Sequence, residues 1–126
     1  MQDPLVVTYK YNYVHVQNFG QMNLDPSSNR WHDIKDECDK NNCYKILGET
    51  FGTDKLKPAD SYQLMEVLRG AGITADFKIA WVFHFVESYD KMLPAQEFLN
   101  QSGQVNARLF KTVEEALEWL LKDSDK

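Results

Sequence analysis

The chain has 126 residues, 43% of them hydrophobic and 26% charged, which suffices for one core without disulfides or metals. Its 14 Lys and Arg stand against 19 Asp and Glu, a net charge of −5. The basic residues do not cluster, so no stripe for nucleic-acid phosphates or anionic lipid is visible. No apolar run approaches the roughly 20 residues of a membrane span, and "MQDPLVV" lacks the basic start and apolar stretch of a secretory leader. The expectation is one cytoplasmic domain over residues 1–126, with no nucleic-acid partner and no membrane insertion.

"LVVTYKYNYVHVQNF" (Leu5 to Phe19) is rich in Val and Tyr and polar at alternate positions. It reads as a β-hairpin turning near Asn12, or as one long strand. Tyr9, Tyr11 and Tyr13 share a parity at this edge and are available to cover the core, pair two subunits or meet a partner strand. In "LDPSSNRWHDIKDECDKNN", Asp25 is an N-cap and Pro26 a first-turn proline. Trp31, Ile34 and Cys38 define the inward face of that helix.

"CYKILGE" (Cys43 to Glu49) is a short strand, and "KPADSYQLMEVLRGAG" a helix with Leu64, Met65, Leu68 and Ala71 as its stripe. Gly70 or Gly72 closes it. "DFKIAWVFHFVESYD" (Asp76 to Asp90) is apolar on both parities, the signature of a strand buried on both faces of a parallel sheet. "DKMLPAQEFLNQSG" follows as a helix with Pro94 in its first turn and Gly103 past its end. "VNARLF" alternates as a strand, and "TVEEALEWLL" is a helix opened by a Thr112–Glu115 capping box, with Val113, Ala116, Leu117 and Leu120 facing inward. Trp31, Trp81 and Trp119 all fall on inward faces.

The order ββαβαβαβα implies an α/β fold: an N-terminal antiparallel hairpin, then parallel βα units with right-handed crossovers, the sheet lying between layers of helices. "FKIAWVFHF", "VNARLFKTVEEALEWLL" and "VHVQNFGQM", in this order of elements, resemble the SpoIIAA-like or STAS-like domains. The resemblance spans nearly the whole chain. It implies a small regulatory or binding domain of the anti-sigma-factor-antagonist kind, acting through a protein partner or a small hydrophobic or polar ligand. In that family a serine opening the helix after the third strand is phosphorylated, within an Asp-Ser-Ser-Gly stretch. Here "ADSYQLMEVL" keeps Asp60 and Ser61, while Tyr62 and Gln63 replace Ser and Gly.

A hydroxyl at a helix N-terminus is well placed for a phosphate, although Asp60 and Gln63 already form a capping pair. In open α/β sheets the ligand crevice lies beyond the strand carboxyl ends, which gathers Glu49, Asp60, Ser61, His84 and Glu87 as candidates for a phospho-acceptor or a site rim. A small hydrolase built on Glu49, Ser61 and His84 is the alternative function, but no G-x-S-x-G elbow is present. Neither a phosphate loop nor a dinucleotide fingerprint occurs, so no cofactor is expected. His32 and Asp36 lie one turn apart on the face opposite Trp31, Ile34 and Cys38, a solvated face and not a metal site. Cys38 and Cys43 have neither redox nor zinc spacing and read as free thiols.

Overall fold

The computed structural model describes residues 5–10, 12–19, 31–51, 61–103 and 105–122. Its elements are β1 (Leu5–Tyr9), β2 (Val14–Asn18), α1 (Trp31–Asn41), β3 (Lys45–Thr50), α2 (Ser61–Ala71), β4 (Lys78–Phe83), α3 (Val86–Gln101), β5 (Asn106–Phe110) and α4 (Val113–Leu120). The fold is α/β with one mixed sheet. β1 and β2 are antiparallel, the remaining pairs are parallel, and the strands lie in chain order, β1-β2-β3-β4-β5.

That order has a geometric consequence. Right-handed crossovers that step always toward the same edge place every crossover helix on the same face. Accordingly Val14, Val16, Ile46, Ile79, Trp81 and Phe83 share one core with Trp31, Ile34, Leu64, Leu68, Met92 and Leu99 from α1, α2 and α3. Among the described residues the opposite face carries α4, whose Ala116 and Leu120 pack on Leu47, Ala80, Val82 and Phe110. Among the described residues the two helix layers expected from sequence are therefore unequal, three helices against one. Among the described strands the order does not reverse, so they form no crevice between diverging helices of the kind that marks doubly wound sheets.

Local chemistry sets the ends of the elements. Asn42 takes a left-handed φ of 52° after α1, with Cys43 N–H donating to Cys38 O and Asn42 N–H to Asp39 O, a Schellman closure. Gly72, at φ 85°, closes α2 in the same way, through Ile73 N–H to Leu68 O. Thr112 caps α4 by accepting Glu115 N–H at 3.2 Å. At the other end Lys78 Nζ donates to Trp119 O at 2.6 Å and lies over the Trp119 ring, a cation at a helix C-terminus. Trp119 is half-buried.

Two expectations are corrected. α3 begins at Val86, so Pro94 sits inside the helix and not in its first turn. Its missing N–H leaves the Asp90 carbonyl without a helical donor, which is tolerable because Asp90 is exposed. Tyr9 and Tyr13 do not share a face: Tyr9 pairs with Val14 across the hairpin, so Tyr13 points the other way, Tyr9 joining the three-helix core and Tyr13 the α4 side. Tyr11, Asp25 and Pro26 lie outside the described residues.

The outer edge of β5 is covered by side chains. The Asn100 amide donates to Ala107 O at 2.8 Å and accepts Ala107 N–H at 2.9 Å. Gln96 Oε1 accepts Leu109 N–H at 2.7 Å. Two residues one turn apart on α3 thus stand in for a missing strand.

Candidate functional site

On β3 the residues from Ile46 to Thr50 are all buried, so the strand is covered on both faces. A Cβ at Gly48 would lie 2.0 Å from Trp81 Cε3, so only glycine lets the Trp81 ring lie flat against the strand. Trp81 Nε1–H then donates to Thr50 Oγ1 at 2.8 Å in the buried interior. Gly48 and Thr50 are thereby committed to the three-helix face. Glu49, between them, must point to the other one.

There it is 6% exposed, and a buried carboxylate without partners is costly. Its partners are two histidines. His84 Nε2–H donates to Glu49 Oε1 at 2.9 Å, and His15 Nε2–H donates to Glu49 Oε2. The register explains the meeting. Gln17, Glu49, Val82 and Phe110 lie on one line across the sheet. His15 is two residues back along β2 and His84 two residues on from Val82, so the three polar groups run diagonally over three strands. His84 N–H also donates to Thr50 O at 3.4 Å, carrying the β3–β4 ladder one step further.

An ionised carboxylate only accepts hydrogen bonds. Each ring therefore donates to Glu49 from Nε2, which leaves Nδ1 as the ring nitrogen that Glu49 does not engage. The two rings differ in surroundings. The His15 side chain is 14% exposed and meets Tyr13 edge-on at 6.1 Å. The His84 side chain is 34% exposed and stacks on Phe51 at 4.9 Å and 15°. Phe51 stacks in turn on Phe19 at 4.9 Å and 8°. Phe19, Phe51 and His84 thus form a row of near-parallel rings across the carboxyl ends of β2, β3 and β4, with Phe19 55% exposed.

Of the residues expected here, Glu49 and His84 come together. Glu87 is exposed in the first turn of α3 and bonds to neither imidazole. Ser61 is the first residue of α2; its side chain and Asp60 lie outside the described set. Among the described residues no serine, threonine or cysteine side chain hydrogen-bonds His15 or His84, and Thr50 Oγ1 is occupied by Trp81. His32, Asp33 and Asp36 are exposed, and no group of three His, Cys, Asp or Glu among the described residues is arranged to hold a metal. No described helix is long and apolar enough to cross a membrane.

His15 is the residue the sequence reading missed. Its alternation with Val14 and Val16 placed it on the polar parity of β2, but nothing local distinguishes a solvated histidine from one aimed at a carboxylate on the next strand.

Elsewhere, an apolar cavity of about 60 Å³ lies among Trp31, Leu68, Trp81, Phe83, Met92 and Leu99. It has almost no polar lining with which to orient a ligand. The chain matches no family model, no curated protein and no solved structure.

Proposed function

We propose that the chain is a small cytoplasmic STAS-like binding module that engages a ligand or protein partner through the strand carboxyl ends around Glu49. One observation carries the reading: a buried carboxylate clamped by two imidazoles, bordered by the exposed rings of Phe19 and Phe51. A core of this size does not need such a cluster, and apolar residues of similar volume would cost less to bury. Exposed aromatic surface beside such a polar cluster supports a role in recognition. In the regulatory form of this reading, Ser61 at the start of α2 is the phospho-acceptor that switches binding.

A second reading, a small hydrolase-like enzyme, draws on the Glu49–His84 hydrogen bond, which orients an imidazole as a base requires. It lacks a nucleophile among the described side chains.

The test is the intact native mass of the protein purified from its own cells, beside Glu49→Gln. A bound molecule or second protein present on the wild type and lost from a folded Glu49→Gln supports the module. A bare chain in both, or a bound species indifferent to Glu49, overturns it. Phosphate on Ser61, with opposite binding by Ser61→Ala and Ser61→Asp, establishes the switch.

A further inference from the structure

We infer that Cys38 and Cys43 form a reversible disulfide site, at which Cys43 takes up a small-molecule disulfide such as oxidised glutathione and Cys38 resolves it into an intramolecular bond. The spacing of the pair matches no redox motif. It is the turn after α1 that brings the two residues together.

The geometry comes from the Schellman closure. Asn42 is left-handed at φ 52°, and the Cys43 N–H donates to Cys38 O at 3.0 Å. Adding the N–Cα bond on one side and the Cα–C=O unit on the other puts the two Cα atoms within about 7 Å at full stretch. The bond angle at the Cys43 nitrogen bends that path, which brings the separation inside the roughly 4.4–6.8 Å that disulfides span.

The side chains turn the same way. Residues at these two positions of a Schellman motif commonly meet through their side chains. Here Cys38 is buried in the three-helix core, and Cys43 packs against that same core. After burial itself, the Cys43 thiol is the largest influence that raises the Cys38 thiol, as near neighbours do. Cys43 Sγ also lies 4.0 Å from Lys45 O, a weak contact that a sulfur–sulfur bond can replace.

Exposure divides the roles. Cys43 is half-buried and meets reagents, whereas Cys38 is 0% exposed. The Cys43 thiol releases its proton to water, and its sulfur bonds to one sulfur of the small disulfide. The other sulfur leaves as a thiolate. Cys38 needs no contact with the reagent, because its target is the Cys43 sulfur beside it. The Cys38–Cys43 bond forms, the bond from Cys43 to the small thiol breaks, and the departing thiolate takes the Cys38 proton. Two protein thiols are thereby oxidised, and one disulfide is reduced to two thiols. Excess reduced glutathione runs both steps backwards, so the bond follows the surrounding thiol poise.

The test equilibrates the folded whole chain with oxidised and reduced glutathione and quenches it with acid. Trypsin cuts after Lys40, between the two cysteines, so the peptides 36–40 and 41–45 stay joined only through a disulfide. The expected result is an intact mass lower by two hydrogens, the joined peptides, and recovery of both free thiols in reduced glutathione. Cys38→Ala should stop at the mixed disulfide, with glutathione on Cys43 about tenfold or more above the wild-type level, the scale of losing a well-oriented intramolecular reaction. Cys43→Ala should leave Cys38 unmodified over the same time.

The wild-type peptide map decides the matter even where a variant does not fold. Peptides joined only after unfolding in urea overturn the inference. So does glutathione that stays on Cys43 of the wild type, a Cys43–Cys43 bond between two chains, or no oxidation at all.

Discussion

Glu49 and His84 are 35 positions apart in the chain and 2.9 Å apart in the fold, and His15 reaches the other oxygen of the same carboxylate. The arrangement makes Glu49 an acceptor twice over. Glutamine in its place offers one oxygen and a donating NH₂, so one Nε2–H loses its acceptor and faces a donor. Glu49→Gln should cost about 1–3 kcal/mol of stability in urea unfolding. Nitrogen NMR of the side chains should show one ring leaving the Nε2–H tautomer. Two unchanged rings would mean that Glu49 does not set their tautomers.

Gly48→Ala tests the contact that orients β3. The added methyl falls within 2.0 Å of the Trp81 ring, and rings in a packed core do not yield cheaply. Overpacking of this kind costs about 1–3 kcal/mol and should loosen the Trp81–Thr50 hydrogen bond, visible as a shifted Trp81 indole N–H resonance. Adding Trp81→Leu should recover part of the loss. A double variant no more stable than Gly48→Ala would argue that the strain lies elsewhere.

Asn100→Ala removes both hydrogen bonds that α3 makes to Ala107. The expected cost is about 1–3 kcal/mol, with faster amide exchange at Ala107. Leu109, held by Gln96, should change less. An uncovered edge strand also invites pairing with another chain, so concentration-dependent association of Asn100→Ala, absent from the wild type, is a second expected readout.

Burial pushes the Cys38 thiol up from its ordinary value of 9.0 to about 12, with the Cys43 thiol adding to the effect. The native chain therefore keeps the Cys38 proton over a range in which the unfolded chain releases it. With the unfolded state binding fewer protons, stability falls as pH rises from about 9 toward 12. Cys38→Ala should flatten that part of the stability profile, and a profile still steep there would exclude Cys38 as the cause. In the native state the half-exposed Cys43 should react with a thiol reagent well before the fully buried Cys38.

Much of the architecture is legible in short stretches of sequence. Trp31, Ile34 and Cys38 recur at helical spacing and are buried together. The Lys78–Phe83 strand is apolar on both parities and is covered on both faces. Thr112 and Glu115 announce the start of α4, and the cap is there. The start of α3 was not legible, because "VES" continues an apolar run and Pro94 looks like a first-turn residue. The packing of Tyr89 and Met92 against the three-helix core supports the earlier turns in spite of the proline.

The sequence by itself determined the kind and order of the elements and the inward stripes of α1, α2 and α4, because these depend on side-chain period within one element. It also determined that Glu49 and His84 stand at strand ends. Only the tertiary structure decided that they meet, that His15 joins them, and that, among the described residues, the face they share is covered by α4. Those facts depend on the register between strands and on the direction of successive crossovers. No periodicity within a strand encodes either. They follow from right-handed connections stepping one way across the sheet, and from the close fit of Trp81 over Gly48, which commits Glu49 to the α4 side of the sheet.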